Sequence, residues 1–69
     1  MSQDIHSSAV VDPAADIAPG VIIGPNTVLE HNVEIGENTR VDSNARICAG
    51  ARIGRECRVF HGAVVGEIP

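Results

Sequence analysis

A chain of 69 residues has room for one small domain or a piece of a larger one. A domain that short buries only about 60% of the surface its unfolded chain exposes. Phe60 is the only aromatic residue, yet 43% of the chain is hydrophobic, mostly Ile, Val and Ala, which speaks against both an aromatic-filled core and a disordered chain.

The charge is uneven. Residues 1–39 carry six acids and no Lys or Arg (−6), and residues 40–69 carry five Arg against three acids (+2), summing to −4. An acidic chain without Lys is a poor nucleic-acid binder, although its Arg-bearing half can still meet an anionic ligand. No stretch approaches the roughly 20 apolar residues of a membrane span. The opening "MSQDIHSSAVV" lacks the basic and apolar regions of a signal peptide, so the expected location is the cytoplasm. Cys48 and Cys57 are too few for a disulfide scaffold and are not a close-spaced metal pair; they are expected to be reduced thiols.

After a lead-in over residues 1–4, an aliphatic residue recurs every six positions: Ile5, Val11, Ile17, Ile23, Leu29, Ile35, Val41, Ile47, Ile53, Val59 and Val65. A period held without insertion over residues 5–69 marks a repeat architecture. Four positions after each of the first ten stands a second, small column: Ala9, Ala15, Val21, Thr27, Val33, Thr39, Ala45, Ala51, Cys57 and Ala63. Both columns are expected to point inward.

The slot three positions after the aliphatic reads Ser8, Ala14, Gly20, Asn26, Asn32, Asn38, Asn44, Gly50, Glu56 and Gly62. Asn and Gly adopt the left-handed backbone conformation most cheaply, so each unit is expected to turn a corner there. Gly24, Gly36, Gly54 and Gly66 directly after the aliphatic, and Pro13, Pro19 and Pro25 one position further on, reinforce a short strand followed by a bend.

Segments such as "IGPNTV", "IGENTR" and "IGRECR" resemble the hexapeptide-repeat proteins. The resemblance implies an all-β fold, a left-handed parallel β-helix in which three units close one triangular coil. That handedness is an exception to the usual right-handed crossover. The chain then makes about three and a half coils, each rising about 4.8 Å, and residues 18 apart stack. Asp16, Glu34 and Arg52 fall in one stack, where Glu34 and Arg52 are expected to pair on the surface for up to about 1 kcal/mol. Arg40 lies beneath Arg58, and the two repel unless an anion or an acid stands between them.

The opening "DIHSSAVVDPAADI" and the run "RIGRECRVFHGAVVGEIP" are further similar to one branch, the acyl-carrier-protein-dependent UDP-N-acetylglucosamine O-acyltransferases of lipid A synthesis. This resemblance implies transfer of a hydroxyacyl chain from the carrier protein to the sugar 3-hydroxyl, with a histidine as general base. It implies a homotrimer with clefts between subunits and no cofactor. The family's catalytic histidine lies in coils later than any here, so the chain is expected to be an amino-terminal segment with no catalytic residue of its own. The other function class open to these repeats is a non-catalytic, self-associating structural or interaction module. An ice-binding surface would need outward Thr columns, whereas Thr27 and Thr39 fall in the inward slot.

The resemblance makes His61 and Glu67 candidates for substrate binding at the cleft. The strand arginines Arg40, Arg46, Arg52 and Arg58, each the last residue of its unit, are expected to form an outward column that is either solvated surface or a contact for the acidic carrier or a nucleotide phosphate. Arg55 adds to either reading. His6 and His31 are expected to have capping and surface roles. Because residues 18 apart stack and His6, His31, His61, Cys48 and Cys57 all fall in different stacks, no zinc site is expected. Ser7, Ser8 and Ser43 lack the partners of a hydrolase triad.

Overall fold

The computed structural model describes residues 3–66. Each unit contributes one two-residue strand, numbered here in chain order, and the eleven strands fall into three parallel sheets. The first sheet orders β1 (Asp4–Ile5), β4 (Ile22–Ile23), β7 (Arg40–Val41) and β10 (Arg58–Val59). The second orders β2 (Val10–Val11), β5 (Val28–Leu29), β8 (Arg46–Ile47) and β11 (Val64–Val65), and the third β3 (Asp16–Ile17), β6 (Glu34–Ile35) and β9 (Arg52–Ile53). Strands n and n+3 pair in register, so three units make a coil and residues 18 apart are neighbours. The fold is a parallel β-helix, with no helix among the described residues.

Both expected columns fill the interior. Val21, Ile23, Leu29, Val33, Ile35, Val41, Ala45 and Ile47 are at most 2% exposed. Aliphatics stack on aliphatics along each sheet, as in Ile5, Ile23, Val41 and Val59, which removes apolar surface from water without an aromatic core. Thr27 and Thr39 are fully buried in the small column, where a hydroxyl without a partner would be costly. Each finds one in the coil above: Thr27 Oγ1 donates to the Asp42 carbonyl at 2.8 Å and Thr39 Oγ1 to the Gly54 carbonyl at 2.6 Å. Thr39 Oγ1 also accepts the Cys57 N–H at 3.2 Å.

The corners follow the expected chemistry from Gly20 onward. Asn26, Asn32, Asn38 and Asn44 have φ of 59–61°, and Gly20, Gly50 and Gly62 are also left-handed. This turns the backbone N–H along the solenoid axis. Asn38 donates to the Pro19 carbonyl at 3.2 Å, Asn44 to Pro25 at 3.0 Å, Gly50 to His31 at 3.1 Å and Gly62 to Ser43 at 3.1 Å, each reaching the coil below. Glu56 takes the same conformation at φ 57° and donates to the Glu37 carbonyl, although a Glu pays a Cβ penalty there that Asn and Gly largely escape. Ser8 and Ala14 depart from the expectation and are not left-handed. Their N–H groups are satisfied locally, by His6 Nδ1 at 3.1 Å and Asp12 Oδ1 at 2.8 Å, so nothing requires the left-handed turn.

Cys57 also differs from its column. It follows Thr39 in the stack but is exposed, because it belongs to the last described coil and no further coil covers it among the described residues.

Candidate functional site

The outward residues of the strands give the three faces different characters. The first sheet presents Asp4, Ile22, Arg40 and Arg58 in successive coils, the second Val10, Val28, Arg46 and Val64, and the third Asp16, Glu34 and Arg52. The four strand arginines therefore do not form one column. A step of six residues moves one face around the prism, so Arg46 and Arg52 stand on their own faces and only Arg40 and Arg58 share one.

Each strand arginine meets an acid. Arg52 Nε lies 3.5 Å from Glu34 Oε2, the pairing that the 18-residue register anticipates. Arg46 donates to Glu30 Oε2 through both Nε and a terminal nitrogen, while Glu30 Oε1 accepts the Ala49 N–H at 2.9 Å. The Arg46 hydrogen bond, then the Ala49 N–H, hold the Glu30 carboxyl below the ordinary carboxylate range, and Glu30 in turn raises Arg46. On the first face Asp42 serves both arginines: it lies 3.4 Å from Arg40 Nε and accepts from Arg58 at 3.2 Å. The acid needed between the stacked guanidiniums is thus Asp42, in the slot that Gly36 occupies in the preceding unit.

Beside this pair lies a groove of about 330 Å³. Arg40, Asp42 and Arg58 line it with Ser43 and His61 of the adjoining corners, over an apolar floor that includes Ile22 and Pro25. The Arg58 guanidinium sits 5.2 Å from the centre of the Phe60 ring, a cation–π arrangement that orients it. Three of the residues singled out from the sequence, Arg40, Arg58 and His61, thus meet in one place. Glu67 lies outside the described residues. Asp42, Ser43 and Phe60 were not singled out as site residues; the 18-residue register applied to the corner slots stacks Ser43 beneath His61 and Asp42 beneath Phe60.

A second depression, of about 400 Å³, is lined by Val10, Asp12, Val28, Leu29, Glu30 and His31 on the second face. Its two acids are already engaged, Asp12 by the Ala14 N–H and Glu30 by Arg46 and Ala49. His6 Nδ1 and Ser8 Oγ are 2.9 Å apart, but this is a corner clasp. The Ser8 N–H donates to Nδ1 at 3.1 Å, and Ser8 Oγ accepts the Asn26 N–H at 2.9 Å. Among the described residues no carboxylate hydrogen-bonds to His6. Among the described residues no group of three or more His, Cys, Asp or Glu is gathered as a metal site. No helix of the described residues is long and apolar enough to cross a membrane.

Three parallel sheets of two-residue strands, joined from Gly20 onward by left-handed corners every sixth residue, define a hexapeptide-type β-helix. Residues 32–67, more than half of the chain, match the family model of the bacterial transferase hexapeptide (six repeats), and the chain belongs to that family. No curated protein matches it.

Proposed function

We propose that this chain is the amino-terminal repeat segment of an O-acyltransferase that moves a hydroxyacyl chain from acyl carrier protein to the 3-hydroxyl of UDP-N-acetylglucosamine in lipid A synthesis. Membership of a transferase hexapeptide family supports the class. The observation that carries the finer reading is the pairing of the "DIHSSAVVDPAADI" opening with a "VFHGAVVGE" segment at the spacing of that branch. The enzyme acts in the cytoplasm as a homotrimer. His61 is a candidate contact at its sugar-nucleotide cleft, and Arg40 and Arg58, the two strand arginines that share a face, are the candidates to meet its acidic carrier together.

In this reading the general base belongs to later coils. His6 is committed to its corner clasp, and on this reading the segment alone does not transfer acyl groups. The test is to sequence the reading frame after the Pro69 codon and to assay the encoded protein for acyl transfer to UDP-N-acetylglucosamine, beside the 69-residue chain. The expected frame continues through a Gln-Asp pair, further hexapeptides and a histidine, with activity in the longer protein only. A stop codon at that point, or a longer protein inactive with this substrate pair, overturns the reading in favour of a self-associating structural module.

A further inference from the structure

We infer that the groove on the first face is a binding site for a phosphate monoester, held by Arg40, Arg58 and His61 in competition with Asp42. The register carries the first part of the case. Arg58 stands directly opposite Arg40 on an adjacent strand, with strands about 4.8 Å apart. Like charges so placed repel. Neither other face repeats the arrangement: Arg46 has Val28 and Val64 as its neighbours, and Arg52 has Glu34. One carboxylate, Asp42, serves both guanidiniums and is, among the described residues, the only acid lining the groove. The groove is locally cationic on a chain whose net charge is −4.

Donor capacity points the same way. A guanidinium carries five N–H donors in a planar fork suited to phosphate oxygens. Asp42 occupies little of that capacity, and the Arg40 and Arg58 side chains are 59% and 55% exposed, whereas Asp42 is only 16% exposed. Most of the donor capacity of the two guanidiniums is therefore open to solvent, whereas the acid between them is largely covered. Stacking on Phe60 holds the Arg58 fork in place before any ligand arrives, which lowers the ordering cost of binding. His61 supplies a ring nitrogen at the rim. The floor explains why an ester is preferred to a bare ion, since Ile22 is 40% exposed beside Pro25 and gives a flat organic group somewhere to rest. Binding requires no covalent step, and it does not depend on the acyl-transfer reading: the test below is of equilibrium binding, whose result is separable from any assay of activity.

The experiment is an amide and Arg side-chain NMR titration of the full chain at low salt with inorganic phosphate and with phenyl phosphate. Saturable shifts confined to residues around Arg40, Ser43, Arg58 and His61 are expected, with phenyl phosphate several-fold the tighter. Arg58→Gln and Arg40→Gln should each weaken binding about tenfold, the loss of one charged hydrogen-bonding partner. Arg52→Gln makes the same charge change on another face and should leave binding unaltered. Asp42→Asn should tighten it by removing the competing carboxylate, and the spectra themselves report whether each variant is folded. Arg58→Lys keeps the charge without the fork and should fall between wild type and Arg58→Gln. Absence of saturable shifts up to about 10 mM ligand, weaker than any useful affinity on the millimolar scale, overturns the inference. So does a loss in Arg52→Gln equal to that in Arg58→Gln, or phenyl phosphate binding no tighter than phosphate.

Discussion

Ile5 and Ile23 occupy the same slot of the same face, one coil apart, yet Ile5 is 39% exposed and Ile23 only 1%. The contrast runs through the molecule. Between Val21 and Ile47 both inward columns are sealed, while Val11, Ile17, Ile53, Ala63 and Val65 are only partly buried and Cys57 is exposed. The six-residue pattern is identical in both regions, so it does not by itself decide burial. A side chain in a β-helix is covered by the coil below and the coil above, and only the middle has both among the described residues. Stability in such a stack is therefore a sum of coil–coil interfaces.

The sharpest way to break that comparison is truncation in each region. Leu29 packs between Val11 and Ile47, and Leu29→Ala is expected to cost about 2–5 kcal/mol in urea or thermal unfolding. Ile5→Ala, in the half-covered coil, should cost about 1 kcal/mol. Equal losses would show that the terminal coil is packed as tightly as the middle.

Glycine gives the next largest contrast. A Cβ on Gly36 would stand 2.5 Å from the Arg55 nitrogen and 2.6 Å from the Gly54 carbonyl carbon, backbone atoms of the coil above. Gly36→Ala should destabilise by about 1–3 kcal/mol through overpacking. Gly54, in the same slot of the last described coil, meets only Cys57 Sγ at 3.8 Å, so Gly54→Ala should be close to neutral. Matching effects from the two substitutions would count against coil stacking as the reason for glycine here.

Glu56 offers a gain. It is the one left-handed corner residue that is neither Asn nor Gly, and Glu56→Gly should stabilise by up to about 1 kcal/mol in the same unfolding measurement. No change, or a loss, would mean that the Glu56 side chain has compensating contacts.

The smallest expected effect is electrostatic. The Glu30 carboxyl is held below its ordinary value of 4.5 by Arg46 and the Ala49 N–H. Its contribution is therefore present above that value and is lost as the pH falls through the lowered folded-state value. Glu30→Gln should flatten the dependence of stability on pH below about 4.5, with little change at neutral pH. An unchanged acid limb would show that the Glu30–Arg46 contact contributes nothing measurable, as many exposed ion pairs do.

Much of the fold was legible in the chain before any coordinates. The aliphatic column from Ile5 to Val65 gives the strands, the small column gives the second inward position, and the Asn and Gly slot gives the corners. These are local or strictly periodic signals, and periodicity survives folding unchanged. The register pairs Glu34 with Arg52 and Arg58 with Arg40 once three units are known to close a coil. The candidate site was legible only in part. Arg40, Arg58 and His61 could be named, but so could Arg46 and Arg52, which fold onto other faces. Asp42 escaped notice because its importance lies in two partners, Arg40 on its own strand end and Arg58 one coil above.

By itself the sequence determined the repeat, the two inward columns, the corners from Gly20 onward and the excess of arginine in the second half, because each depends on residue type at a fixed spacing. Only the tertiary structure decided that one carboxylate serves two of the guanidiniums, that Phe60 holds Arg58, and that Cys57 and Ile5 are exposed in slots that elsewhere are sealed. The reason is that covering a side chain, or neutralising a charge, takes atoms from neighbouring coils. Slot identity repeats along the chain, but the number of coils above and below does not.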